Sequence, residues 1–309
     1  ILKVINPLFM DGLRAEFARI NNLKRGRDAE LLAFQSRLAS LNFLDPACGC
    51  GNFLIIAYRE LRLLEIELVK ALYTDVFNRP GLTRSDYQFS AASVSKVDVD
   101  QFHGIEIGEF PAEIASAAMW MMDHIMNNEL SRTFGQNYAR IPLKKSANIV
   151  HGDALELEWA DVIAPDKCDY VMGNPPFIGA KMQSQLQREQ VRDTARLGGS
   201  GGTLDFVAAW FLKAGEFVNA APRPRGIAFV ATNSITQGEQ VAQLWPLLFE
   251  RFGLEIAFAH RTFAWGSDAR GKAHVHVVVL GLTKQLDEPE VKRLFSYSDV
   301  NGEPGETEH

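Results

Sequence analysis

The sequence predicts an α/β fold, a mostly parallel sheet wrapped by helices. Three observations predict it. Short apolar, β-type runs alternate with longer stretches of helical periodicity along most of the chain. Glycine- and proline-bearing loops fall where strands hand over to helices, as at 45–51 and 173–177. With 309 residues, 47% hydrophobic and 23% charged, the chain can bury one large core.

Residues 8–40 read as helical, with Leu13, Phe17 and Ile20, then Leu31, Leu32 and Phe34, at helical spacing. A short strand at 42–44 leads through the loop DPACGCG into a long helix over 52–72. The polar stretch 78–96, with Pro80 and Gly81, reads as a surface insertion. A second strand is expected over 99–107, and a helix over 111–127 with Pro111 in its first turn, where the missing N–H costs nothing. Further strands are expected at 148–151, 170–172, 227–231, 254–260 and 274–281, with helices over 203–219 and 239–252. The run GGSGG at 198–202 reads as a hinge. The division expected is a helical segment 1–40 packing on a catalytic domain 41–285, with 286–309 opening a following region.

Several function classes are disfavoured. No run of eighteen apolar residues occurs, and the apolar first ten residues have neither a charged region before them nor a small-residue cleavage site. The three cysteines cannot form a disulfide framework, and a reducing cytoplasm is their natural setting. Cys48 and Cys50 form a C-x-C without a second pair, and His274 and His276 sit in ordinary strand sequence, so no metal site is read. A formal charge of −6 argues against a free-standing nucleic-acid binder. Local basic clusters exist nonetheless, at Lys181, Arg188, Arg192 and Arg196, and at Arg261, Arg270 and Lys272. Taken alone, such clusters are solvated faces. The missing initiator Met and the polar run 302–309 make both ends read as cuts within a longer polypeptide.

Four motifs carry chemistry. The loop Asp45-Pro46-Ala47-Cys48-Gly49-Cys50-Gly51-Asn52-Phe53 joins a strand to a helix, where glycines let backbone approach a ligand. Its third glycine position is near Ile55, so the dinucleotide fingerprint fails. An acid, small residues and G-x-G suit instead a ligand with an amino-acid tail. Gly104-Ile105-Glu106 ends the second strand, where an acid can accept both hydroxyls of a ribose. Gly152-Asp153-Ala154 follows the third strand, and its carboxylate is either an acceptor for a purine amine or a turn residue. Asn174-Pro175-Pro176-Phe177 follows the fourth. Its consecutive prolines stiffen the backbone and remove two donors, leaving the Asn174 side-chain oxygen and the Pro175 carbonyl as acceptors beside an aromatic ring. That arrangement suits a planar amino group.

In this order the motifs resemble the gamma-type class I methyltransferases that modify exocyclic amines of DNA bases. The stretches 202–206, Trp210-Phe211 and 226–235 look like the fused restriction–modification group called MmeI-like, or type IIL. The resemblance runs from about Asn6 to Leu282 and implies a Rossmann-like class I methyltransferase fold, with helices on both faces and a final antiparallel strand. It implies S-adenosylmethionine as cofactor and double-stranded DNA as partner. Asp45, Ala47, Cys48, Gly49, Gly51, Asn52 and Phe53 would serve the methionine end, Glu106 the ribose, and Ile107, Asp153 and Ala154 the adenine. Asn174, Pro175, Pro176 and Phe177 would be catalytic, receiving a flipped adenine for N6 methylation. The basic clusters become candidates for the DNA backbone. Cys50 departs from the Ser or other small residue often found in such loops, a tolerable change. The resemblance also implies a further cofactor-contacting segment just upstream of residue 1, and target-recognition and nuclease regions in the same polypeptide. Glu290-Val291-Lys292 has the form of a nuclease E-x-K but no supporting acid, and is read as surface charge. Methylation of cytosine N4, of RNA, or of a protein glutamine stays open, because each acceptor is also a planar amine. Cytosine C5 chemistry is disfavoured, since no Pro-Cys pair supplies its nucleophile.

Overall fold

Strands buried on both faces must alternate apolar side chains between two cores, and the central strands of this chain do so. Phe43, Met172, Ala228 and Val230 enter one core, while Leu44, Val171, Ile227 and Phe229 enter the other. A computed structural model describes residues 1–77, 94–134, 145–197, 203–222, 225–265, 275–300 and 302–308.

Among the described residues the strands are β1 (Phe43–Asp45), β2 (Phe102–Glu106), β3 (Asn148–His151), β4 (Tyr170–Gly173), β5 (Gly226–Thr232), β6 (Leu254–Trp265), β7 (Val275–Lys284), β8 (Arg293–Ser296) and β9 (Gly305–Glu308). They form one sheet in the order β3-β2-β1-β4-β5-β7-β6-β8-β9. Strands β1 to β5 are mutually parallel, and β7 runs antiparallel to both β5 and β6. This is the predicted fold class.

The helices are α1 (Leu2–Ile5), α2 (Asp11–Asn21), α3 (Arg27–Leu38), α4 (Asn52–Phe77), α5 (Glu109–Phe134), α6 (Trp159–Val162), α7 (Gln185–Ala195), α8 (Ala208–Asn219) and α9 (Glu239–Pro246). Side chains of α1 to α5 fill the first core, and those of α6 to α9 the second. The chain moves outward from β1 to β3, then returns to β4 beside β1. The reversal leaves a crevice at the carboxyl ends of β1 and β4, where open α/β sheets bind ligands. The four predicted motifs sit at the carboxyl ends of β1 to β4.

The structure corrects several boundaries. Residues 99–101, expected as strand, form a 3-10 turn, because Asp98 and Gln101 close a capping box and Gln101 donates to the Leu38 and Leu41 carbonyls. The helix expected from Thr203 starts at Ala208, since the Asp205 carboxylate accepts the Val207 N–H in the preceding turn. The helix expected over 239–252 changes to a π-helical turn (Leu247–Arg251) just after Pro246, which lacks an N–H to donate. Segment 286–309, expected to open a following region, carries β8, parallel to β6, and β9, which extend the sheet. Residues 78–93 of the expected insertion, and the glycine run 198–202, lie outside the described residues. No described helix is long and apolar enough to cross a membrane.

Candidate active site

The site begins with Asp45 at the end of β1. Its side chain is 1% exposed. Oδ1 accepts the Ala47 N–H at 3.0 Å, while buried Oδ2 has no partner among the described residues. Burial pushes the carboxyl up to about 7, against the opposing Ala47 hydrogen bond and with the Glu106 charge adding to the rise. Gly49 and Gly51 follow at positive φ, +54° and +84°, which lets the loop coil tightly before α4. The loop is anchored by the Cys48 N–H on the Ile105 carbonyl and the Gly51 N–H on the Cys48 carbonyl.

Glu106, ending β2, gathers the glycine turns around itself. Its Oε2 accepts the Gly49 N–H and its Oε1 the Gly108 N–H, each at 2.9 Å. Its carbonyl takes the Gly152 N–H at 2.8 Å. Each carboxylate oxygen keeps a second lone pair for a ligand hydroxyl. Asp153 lies beyond β3, with Oδ1 on the Leu155 N–H and Oδ2 on Gln190 Nε2, both at 2.8 Å. Asn174 follows β4, and its buried Oδ1 again has no partner among the described residues.

These groups surround a cleft of about 490 Å³, a size suited to a small organic cofactor. Of the predicted residues, Ala47, Glu106, Ile107, Asp153, Ala154, Asn174 and Pro176 line it. Asp45 lies buried beneath its loop, and Pro175 is buried beside Asn174. Phe177 is partly buried between the two cores. Cys48 and Phe53 do not bring side chains to the cleft, because both are packed in the first core. The Cys48 sulfur packs against Gly104, where a Cβ would meet it at 2.8 Å. Asn52 is exposed at the start of α4.

Other walls were missed. Phe206 and Trp210 line the cleft, and the Trp210 indole N–H donates to the Pro46 carbonyl at 3.1 Å, tying α8 to the glycine loop. Ser184, Leu186, Gln187 and Gln190 line it from α7 and its cap. The legible signal there is Ser184-x-x-Gln187, a capping box that marks a helix start but says nothing of a ligand.

Lys181, Arg188 and Arg192 are exposed on α7 and its approach, and Arg261 is exposed on β6. Arg196 caps α7 in the left-handed region and pairs with Glu216 of α8 at 2.9 Å, beside a separate cleft. Arg270, Lys272 and His274 lie outside the described residues. Among the described residues, no three His, Cys, Asp or Glu side chains converge to hold a metal.

The model of the MmeI DNA-methyltransferase domain matches residues 20–296. The chain belongs to this family. DNA methyltransferase A of Bacillus subtilis (strain 168) is 36% identical over 308 residues, covering 96% of this chain and 33% of that protein. The solved structure of the type IIL restriction–modification enzyme MmeI, in complex with DNA, superposes with a TM-score of 0.90 at 45% identity, covering 99% of this chain and 39% of that one. The chain thus spans about a third of the curated relative's length.

Buried Asp45 makes stability depend on pH. Its folded pKa, about 7, exceeds the unfolded value of ~3.9, so between them the folded protein binds the extra proton. Stability from this group is therefore full below the unfolded value and lost as pH rises toward 7. Asp45→Asn should make the ligand-free protein more thermostable than wild type at pH 8, with the advantage vanishing toward pH 4. Thermal unfolding across that range checks it, and a pH-independent difference would contradict it.

Proposed function

We propose that this domain transfers the methyl group of S-adenosylmethionine to the N6 amino group of adenine in DNA, within a restriction–modification polypeptide that supplies target recognition from other regions. The observation that carries this reading is the Asn174 oxygen, buried, without a partner among the described residues, and held between Gly173 and two prolines at the cleft. A buried orphan acceptor costs about 1–3 kcal/mol, and an incoming N–H would satisfy it.

The remaining residues fit the cofactor. Asp45, Glu106 and Asp153 place three carboxyl groups at the carboxyl ends of β1 to β3, a poor setting for a pyrophosphate and a good one for a cationic ligand. The orphaned Asp45 Oδ2 matches an ammonium group, Glu106 matches ribose hydroxyls, and Ile107 with Phe206 offers apolar surface for a purine. When bound, S-adenosylmethionine supplies an electrophilic methyl on a sulfonium.

The protein's own contribution is orientation and electrostatics. The lone pair of an adenine amine is delocalised into its ring. Accepting its two N–H groups at the Asn174 side chain and the Pro175 carbonyl localises that pair and aims it at the methyl group. With S-adenosylmethionine held in this cleft, the amine would take the methyl group from sulfur, S-adenosylhomocysteine would be the leaving group, and the surplus N6 proton would pass to solvent. The base must first leave the stack, and Phe177 offers it a ring surface. Exposed Lys181, Arg188, Arg192 and Arg261 are suited to the DNA backbone.

The test is to incubate the full-length protein with methyl-labelled cofactor and mixed-sequence DNA, then digest to nucleosides. Label in N6-methyladenine is the expected result. Label in N4-methylcytosine would keep the mechanism and change the base. No label in DNA, with cofactor binding intact, would move the acceptor to RNA or protein.

A further inference from the structure

Asp153 is held from two sides by different parts of the fold. Its Oδ1 is fixed locally by the Leu155 N–H. The loop behind it is pinned by Lys213 of α8, whose Nζ donates to the Leu155 and Leu157 carbonyls at 3.2 and 2.6 Å. Its Oδ2 is fixed from across the cleft by Gln190 Nε2, from a helix 37 residues further along. Gln190 and Asp153 both line the cleft.

Helix α7 starts at Gln185, joined to the Asn174-Pro175-Pro176-Phe177 loop by the short connection 178–184. Buried Gln183 clamps that connection by donating to the Ile178 and Leu204 carbonyls at 3.0 and 2.9 Å. Ser184 and Gln187 then cap the helix reciprocally. Hydrogen bonds thus brace the connection that follows the base-side loop, cap α7 and tie α7 to Asp153.

We propose that Gln190 is a positioning residue for the cofactor: its hydrogen bond to Asp153 fixes the carboxylate so that the free lone pair of Oδ2 accepts the exocyclic amine of the cofactor's purine, and links that contact to the base-side loop through α7. The inference rests on the cofactor reading above. A carboxylate tethered at one oxygen can rotate away from a ligand, whereas one tethered at both cannot. An outer partner that locks a binding group in place raises affinity by removing part of the ordering cost on binding.

The test uses the full-length protein, wild type and with Gln190→Leu or Gln190→Ala. Leucine keeps most of the bulk without a donor, and alanine controls for packing. Each is titrated calorimetrically with S-adenosylhomocysteine and with its analogue lacking the 6-amino group, after circular dichroism and Tm confirm folding. Losing one hydrogen bond to a charged group should weaken S-adenosylhomocysteine about tenfold in both variants. The deamino analogue should bind wild type and variants alike, since it makes no use of Asp153. Equal losses for both ligands would reduce Gln190 to helix packing, and unchanged S-adenosylhomocysteine affinity would remove it from the site; either overturns the inference. A wild-type protein that binds neither ligand would instead overturn the cofactor reading, and this inference with it.

Discussion

Replacing Asn174 with alanine is expected to abolish methyl transfer, by about 10³-fold or more, while S-adenosylhomocysteine affinity stays nearly unchanged. Two features make the expectation sharp. The acceptor oxygen is the atom asked to localise the amine's lone pair, and its loss leaves the Pro175 carbonyl alone to do so. The same oxygen has no partner among the described residues, so its removal breaks none of the hydrogen bonds they make. Thermal stability should therefore hold or rise slightly, because a buried orphan acceptor disappears. Asn174→Asp keeps an acceptor and should retain more activity than the alanine variant. The measurements are single-turnover methyl transfer, calorimetric affinity and Tm on the same preparations. Undiminished transfer would remove Asn174 from the mechanism, and a large fall in Tm would assign it a structural role.

The second large effect is expected one residue earlier. A Cβ on Gly173 would lie 3.1 Å from Asp45 Cγ and closer still to Oδ1. Neither partner can yield easily. Gly173 is paired opposite Phe229 in β5, and Asp45 opposite Gly104 in β2. Gly173→Ala should force the Asp45 carboxylate off the Ala47 N–H and loosen the glycine loop. Overpacking of this kind costs about 1–3 kcal/mol, and the displaced acid should lower cofactor affinity more than tenfold. A double-mutant cycle identifies the cause: in an Asp45→Ala background, where the opposing oxygen is gone, Gly173→Ala should cost little further stability. An undiminished cost there would place the clash elsewhere.

The two predictions concern neighbouring residues with opposite signatures. At Asn174 the chemistry fails and the fold is spared. At Gly173 the fold carries the damage into the cofactor loop. The contrast follows from the sheet, since Gly173 ends β4 and Asn174 lies just past it, at the rim of the cleft.

Much of this site is legible in local sequence. Asp45 and Glu106 end β1 and β2, Asp153 and Asn174 lie within two residues past β3 and β4, and the parallel order of these strands places their carboxyl ends on one edge. Positive φ at Gly49 and Gly51 is also a local demand that the residue type announces. Residues 99–101 look like strand because Val99 precedes the strand that starts at Phe102, while the capping box of Asp98 and Gln101 draws its support from the Leu38 and Leu41 carbonyls, about 60 residues earlier. Cys48 and Phe53 lie inside a cofactor-loop pattern, yet their side chains turn into the core. A pattern of residue types does not state which way each side chain of a coiled loop points.

The alternation of strands and helices, the carboxylates at successive strand ends and the rigid acceptor loop are local properties of the chain, because periodicity, glycine and proline act within a few residues. The distant side chains that complete the cleft are set by long-range packing. Trp210 meets Pro46 across 164 residues, and Gln190 meets Asp153 across 37. Their partners are chosen by how α7 and α8 pack over the sheet, and packing depends on the summed fit of both cores rather than on any local run of residues.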